Sequence, residues 1–382
     1  IQSNRGAALD LASESDAVLY CCGFSNQSEG EGFDREFAMP AEQEDFLLDL
    51  LERNGNVAVV LTGGGNLDMR RWVDRVPALL HAWYPGQEGG TALAELLSGT
   101  ATPSGKLPAT FERAPEDRSS HPCYHDTDND KRVLLDDGVF TGYRHHERTG
   151  VEPLFPFGHG LSYTTFEYEN VACSEALSEH GGVAVALDVI NTGSREGVEV
   201  VQLYVRDVES TVFRPMQALQ GFAKVRLAPG ESKPVRFTLH RRSFATWDTA
   251  LHDWRVEGGA FEIRVGASSR DIRAAAGVEI RAASRHRPAT GRWQRLAAYH
   301  HPTGHRAFSE EAFAALYGRP LPPNRPQRPG QFTVNTPLGD IRGSLGAFLL
   351  RTLILRQARD AFSGDPDSPM ARQGETMLEQ MP

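Results

Sequence analysis

The 382-residue chain has no run of about 18 consecutive apolar residues, which excludes a membrane-spanning helix. It has no basic stripe or tail, and its formal net charge of −10 argues against nucleic acid as a partner. Its four cysteines, Cys21, Cys22, Cys123 and Cys173, are too few for a disulfide framework in a chain this long. Cys21 and Cys22 lie within an apolar run and are expected to be small buried hydrophobes. The chain also lacks a G-x-G-x-x-G fingerprint. Gly63, Gly64 and Gly65 follow an apolar run, but Asp68 takes the third glycine's place and would repel a pyrophosphate. There is no G-x-S-x-G elbow for a serine hydrolase. No leader pattern is read at the start of the sequence: Ile1 precedes a helix-like stretch, and Met377 to Pro382 is expected to stop inside another helix. A piece of a longer protein is therefore expected, and the N-terminus does not decide its compartment.

What is present suffices for packed cores, at 40% hydrophobic and 24% charged residues. The first hundred residues alternate strand and helix signals. Ala17 to Phe24, Val57 to Leu61 and Pro77 to Trp83 read as strands. A helix opens at Pro40 with Glu42 and Glu44 in its first turn and Phe46, Leu47, Leu50 and Leu51 on one face. Another runs from Thr91 to Leu97. Strand, loop and helix in this order predict a parallel sheet with right-handed crossovers. The loops at 25–35, 63–68 and 84–90 then emerge on one sheet edge. From Ser104 to Thr164 the pattern is irregular and rich in Gly, Pro and aromatics. Beyond it, alternation at Val183–Val189, Val201–Val205, Val225–Leu227, Val235–Leu239 and Phe261–Val265 predicts an antiparallel β-sandwich over 165–283. Residues 284–382 read as a linker and a partly helical extension around Leu345, Phe348, Leu349 and Leu355, with no chemistry assigned.

The loop Ser28 to Arg35 carries the densest chemistry. It places Glu29, Glu31, Asp34 and Arg35 among glycines just after the first strand. Glycines on both sides of Glu31 leave space for a ligand beside its carboxylate, at a strand end where α/β sheets do chemistry. Alone, the same pattern fits a solvated acidic loop. Trp83 and Tyr84 stand at the same predicted edge, where a flat apolar face can stack on a sugar ring or simply complete a core. Trp72 reads as core. His121, Cys123, His125 and Asp126 match no familiar zinc spacing and read as a structural loop. His145 and His146 read as surface or packing residues. No metal site is expected.

Five ordered segments together resemble glycoside hydrolase family 3, the β-glucosidase type. They are Glu29-Gly-Glu-Gly-Phe-Asp-Arg35, Ala82-Trp-Tyr-Pro-Gly-Gln-Glu-Gly-Gly90, Pro103-Ser-Gly-Lys-Leu-Pro-Ala-Thr-Phe111, Gly138-Val-Phe-Thr-Gly-Tyr-Arg144 and Phe155-Pro-Phe-Gly-His-Gly-Leu-Ser-Tyr-Thr-Thr-Phe166. The sandwich, closing with Val265-Gly-Ala-Ser-Ser-Arg-Asp271, resembles the family's fibronectin-type-III-like domain. The resemblance implies part of a three-layer α/β/α sandwich over 1–164, then an all-β immunoglobulin-like, fibronectin-III-like sandwich over 165–283. It also implies a separate N-terminal barrel, absent from these residues, that supplies an aspartate nucleophile and most sugar contacts.

On that resemblance Glu31 is the general acid/base, with Glu29 as runner-up. Asp34 and Arg35 are expected to pair with each other or with backbone to order the loop, or less directly to touch sugar with Trp83 and Tyr84. The implied reaction is retaining hydrolysis of terminal β-linked sugars, from β-glucosides, related oligosaccharides or aryl glycosides. Glu31 must start protonated, and like charges nearby together with desolvation would raise its pKa. No cofactor is required. Without the barrel the isolated chain is expected to be inactive. The alternative is a non-catalytic fragment that binds carbohydrate or assembles with a partner.

Overall fold

The structure, a computed structural model, describes residues 4–25, 28–30, 35–124, 133–174, 182–248, 251–281, 295–301, 308–322 and 345–362. The sequence readings at Glu31, Asp34, His125, Asp126 and 377–382 lie outside these residues. The chain divides into two compact units, residues 1–89 with 323–382 and residues 90–322.

In the first unit, helix α1 (Arg5–Glu14) precedes strand β1 (Val18–Gly23), helix α2 (Ala41–Arg53), strand β2 (Val57–Thr62) and strand β3 (Ala78–His81). The strands form a parallel sheet in the order β1-β2-β3, with Val18 opposite Val57 and Ala58 opposite Ala78. This is the predicted arrangement, and it brings the three strand-end loops to one edge. As the middle strand, β2 is covered on both faces, and Val57, Val59, Val60 and Leu61 are buried. Leu47 and Leu50 of α2 are buried, and Leu67, Met69 and Trp72 complete the apolar interior. Asn54 closes α1 by donating Nδ2 to the carbonyls of Ala12 (2.9 Å) and Ser15 (2.8 Å).

The cysteine expectation is corrected. Cys21 is exposed and Cys22 half-buried. β1 is an edge strand, and Leu19 and Cys21 share its exposed face. The face carrying Tyr20 meets α2, where Tyr20 packs edge-on against Phe46 at 5.7 Å. An unbroken apolar run marks burial on both faces only for a strand covered on both sides.

In the second unit, helix α3 (Gly89–Ser98) supplies residues from Gly90 onward. Among the described residues nine strands follow: β4 (Phe166–Cys173), β5 (Val183–Asn191), β6 (Gly197–Asp207), β7 (Ala218–Leu227), β8 (Ser232–Leu239), β9 (Ala245–Asp248), β10 (Asp253–Val256), β11 (Gly259–Gly266) and β12 (Ile272–Ile280). They form the sheets β12-β11-β6-β7 and β4-β5-β8 with a small β9-β10 hairpin, and every strand pair is antiparallel. Val185, Leu203, Phe244, Phe261 and Ile263 fill one part of the core, and Leu187, Val189, Val201 and Val265 another. The alternation read from the sequence is thus the inward set of each strand.

The irregular stretch before the sandwich is fastened to it. Gln202 donates Nε2 to the carbonyls of Gly158 (3.1 Å) and Ala267 (2.7 Å), and the Ser269 amide donates to Phe157 O at 2.9 Å. Asn191, fully buried, accepts from the Thr164 hydroxyl (2.6 Å) and donates to Arg195 O (2.7 Å) and Leu227 O (3.0 Å). Helix α4 (Tyr143–Thr149) lies within this stretch, and its His145 and His146 are buried, so they are packing residues. Further on are α5 (Glu310–Tyr317) and α6 (Leu345–Phe362). Leu345, Phe348 and Leu349 are exposed along α6. Among the described residues, no helix is long and apolar enough to cross a membrane.

Candidate active site

The site grows from the carboxyl end of β1. Gly23 has φ +147, and a Cβ there would lie 1.9 Å from Thr62 O, so only glycine can end the strand against β2. Gln43 of α2 clamps the same residue: it accepts from the Gly23 amide (2.8 Å) and donates to the Gly23 carbonyl (2.9 Å). With the strand end fixed, the chain turns at once. The Ser28 and Glu29 amides both donate to Ser25 O at 2.9 Å.

Glu29 is thereby aimed at the glycine loop after β2. The Gly64 amide donates to its Oε1 at 3.1 Å, and Arg35 Nε lies 3.3 Å from its Oε2. A Cβ on Gly64 would sit 2.4 Å from that Oε1, so glycine is what lets the carboxylate approach the backbone. Arg35 does more than balance charge. It donates to the carbonyls of Asn66 (2.7 Å) and Glu36 (3.1 Å), and its guanidinium lies 4.1 Å from the Phe24 ring centre. One arginine therefore ties the acidic loop to the loop after β2. Among the described residues its carboxylate partner is Glu29.

The third loop joins through Tyr84 and His81. The exposed Tyr84 ring keeps its hydroxyl on the Glu29 carboxylate; loss of water around the phenol, then this hydrogen bond, hold its pKa above the ordinary value. Trp83 is half-buried and has φ +55, a left-handed conformation that a tryptophan rarely adopts. Its amide donates to His81 Nδ1 at 3.3 Å, the two rings are 4.4 Å apart, and His81 Nε2 faces Gly65 O at 3.3 Å. Burial lowers the His81 pKa, so the ring is neutral near pH 7, with the proton on Nε2. The backbone strain at Trp83 is held in place by this histidine.

The structure thus brings Glu29, Arg35, Trp83 and Tyr84 together on one sheet edge. His81, Gln43 and Asn66 were not singled out from sequence. The signal for His81 was its place at the end of β3, two residues before Trp83. Asp68, which breaks the nucleotide fingerprint, is paired with Arg70 at 2.5 Å, and hydrogen bonding to that guanidinium lowers its pKa. Among the described residues, no group of three or more His, Cys, Asp or Glu could hold a metal ion.

Replacing Arg35 by Met should cost about 1.5–3 kcal/mol, because it strands a half-buried carboxylate and removes charge-assisted bonds to backbone. Urea unfolding of Arg35→Met, Glu29→Gln and the double variant checks this. Additive effects would show that the two side chains do not interact.

Comparison with known proteins gives this geometry a context. Residues 2–163 match the glycosyl hydrolase family 3 C-terminal domain, and residues 199–269 match a fibronectin type III-like domain. Thermostable beta-glucosidase B of Acetivibrio thermocellus is 44% identical over 268 residues, covering 69% of this chain and 35% of that protein. An exo-alpha-(1->6)-L-arabinopyranosidase of Bifidobacterium breve is 37% identical over 294 residues, covering 75% of this chain and 38% of that protein. The crystal structure of the family 3 β-glucosidase of Bifidobacterium adolescentis superposes with a TM-score of 0.71 at 35% identity, over 77% of this chain and 44% of that one. The β-glucosidase of Kluyveromyces marxianus in complex with glucose gives a TM-score of 0.69 at 32% identity, over 74% of this chain and 34% of that one. The chain spans about a third of the length of the curated relatives it matches, 35% of the first and 34% of the second.

Proposed function

We propose that this chain, which carries the C-terminal domain of glycosyl hydrolase family 3 and a fibronectin type III-like domain, supplies the general acid/base of a retaining β-glycoside hydrolase. Glu31 is the acid/base. The observation that carries this reading is the commitment of its neighbour. Glu29 already accepts from the Gly64 amide and faces Arg35, so it is a loop anchor, and Glu31 is the loop's remaining glutamate. Asp34 and Arg35 order the loop, and Trp83 and Tyr84 offer an aromatic face to the sugar. The chain divides functionally into the acid/base part at 1–164, the sandwich at 165–283 and an extension at 284–382.

The chemistry is a double displacement. A carboxylate nucleophile from a part of the protein outside these residues attacks the anomeric carbon while Glu31 protonates the departing glycosidic oxygen. Glu31, now ionised, takes a proton from water as the water oxygen attacks the anomeric carbon. The sugar leaves with its original configuration, and the carboxylate nucleophile is released. The substrate class is a β-glucoside or a related terminal β-linked sugar, as the relatives' names indicate.

The test compares the intact gene product with the 382-residue chain. The intact product should hydrolyse an aryl β-glucoside and release β-glucose first by proton NMR, whereas the chain alone should show no turnover. Release of α-glucose first, or hydrolysis by the chain alone, overturns the reading. An intact product that only binds cellobiose would instead support the non-catalytic alternative.

A further inference from the structure

The unit formed by residues 90–322 contains a cavity of about 280 Å³. Its walls come from the end of α4, the end of β6 with the segment after it, and the helical turn Ala297–His300 with His301. It shares no residue with the acidic loop or the two loops beside it. The volume falls just under the range of about 300–1,000 Å³ usual for drug-sized ligands, so it suits a compact one.

The cations of this cavity outnumber its carboxylates. Asp207 is taken up by Arg214, whose Nη1 donates to it at 2.8 Å, and Glu209 is exposed. Arg206 has only a share in a carboxylate. Glu262 Oε2 lies 3.4 Å from Arg206 Nη1 but 2.7 Å from Arg264 Nε, and the Arg206 side chain stays 34% exposed. Arg148, half-buried in the last turn of α4, has no acidic partner among the described residues, and its Nη2 donates to the His300 carbonyl. Burial holds its pKa below the ordinary value, whereas that of Arg273, paired with Asp271, is raised despite burial. His300 senses the same field: burial first, then the like charges of His301 and Arg148, push its pKa from 6.5 down to about 4. The sequence repeats the sign, since residues 281–309 hold six arginines and four histidines and no acid, in a chain of net charge −10. A run of one sign is ordinarily a solvated face. Here two of its members, His300 and His301, are folded into a wall beside Arg148.

We infer that this cavity binds a phosphate group, held by Arg148 and Arg206 with the exposed His301 beside them. A guanidinium carries five N–H donors in a planar fork that fits two oxygens of a tetrahedral oxyanion. Anchoring the turn at His300 uses a donor of Arg148 but leaves its charge unanswered, and a bound oxyanion supplies that charge. The inference goes beyond the acid/base assignment and does not depend on it.

The experiment titrates the full 382-residue chain with inorganic phosphate and with methyl phosphate near pH 7 at constant ionic strength, read by calorimetry and by NMR of methyl-labelled methionine. Saturable binding with a millimolar or tighter midpoint is expected for at least one of the two. The Met216 methyl, which lines the cavity and is assigned by loss of its signal in Met216→Leu, should shift with the same midpoint. Arg148→Met and Arg206→Met should each weaken binding about tenfold. Arg226→Met, which removes an exposed arginine paired with Glu196 on β7, should leave it unchanged. Arg148→Met also deletes the bond to the His300 carbonyl, so Arg206→Met carries the test if that variant does not fold. Tighter binding of methyl phosphate than of the free ion supports a phosphoester ligand, and the reverse supports free phosphate. Absence of saturable binding overturns the inference. So does equal weakening by Arg226→Met, a Met216 methyl that does not move, or displacement of phosphate by equimolar acetate. Failure here leaves the acid/base reading standing, because that reading is tested on Glu31 and on hydrolysis.

Discussion

On the proposed assignment, Glu31→Gln in the intact gene product should slow hydrolysis of glycosides with poor leaving groups by about 10²- to 10⁴-fold, the usual worth of a positioned general acid. Activated aryl glycosides lose far less in the first step, because a departing phenolate of low pKa needs no proton. For those substrates release of the glycosyl-enzyme becomes limiting, since Gln cannot deprotonate water. Azide, which attacks without a base, then partly restores turnover and yields a β-glycosyl azide. Glu29→Gln behaves differently. It removes the counter-charge of Arg35 and leaves the Gly64 amide a neutral, weaker acceptor, so it loosens the loop without deleting the acid. Measured kcat/KM across a series of leaving groups separates the two. A steep leaving-group dependence for Glu29→Gln and a flat one for Glu31→Gln would exchange their roles.

Glu147→Gln should raise stability at pH 8 by an amount on the order of 3 kcal/mol. Glu147 lies on α4 against the sandwich, where Gln217 donates to its Oε1 at 3.0 Å and its Oε2 is buried without a partner. Burial pushes its carboxyl from an ordinary 4.5 up to about 7, against the smaller opposing effects of Gln217, Arg270, Ser269 and Arg264. The folded state thus keeps a proton that the unfolded chain has released. The stability from this group is present in full below pH 4.5 and is lost as pH rises through about 7. Glutamine keeps the shape and an acceptor for Gln217 but cannot titrate. Denaturant unfolding of parent and variant at intervals between pH 5 and about 8 gives the difference directly. A difference that stays constant across that range would show that Glu147 titrates normally.

Elements with a strict period were legible before any coordinates. Leu47 and Leu50 mark the buried stripe of α2, and Val185, Leu187 and Val189 mark the inward face of β5. Strand, helix, strand order with right-handed crossovers fixed the parallel sheet and hence the shared edge of the three loops. The acidic segment, Trp83 and Tyr84 were legible because unusual residue types cluster at predicted strand ends. The turn at Ala228 to Glu231 was also legible, but not its destination. It carries the chain from β7 in one sheet to β8 in the other.

Glu29 and Glu31 are equivalent in sequence, two glutamates among glycines. What distinguishes Glu29 is the Gly64 amide, 35 positions on, and Arg35 folded back upon it. The attachment of 99–164 to the sandwich rests on pairs such as Gln202 with Gly158 and Arg195 with Gly99, at 3.0–3.1 Å and far apart along the chain. Exposure of Cys21 depended on β1 being an edge strand, and the Glu147 carboxyl was raised by what buries it. Sequence by itself determined the elements and their order, because backbone geometry repeats every 3.6 or every two residues and side-chain polarity must follow it. Tertiary structure alone decided which polar groups meet and which stay buried, because those contacts join aperiodic loops whose spacing along the chain carries no signal of their spacing in space.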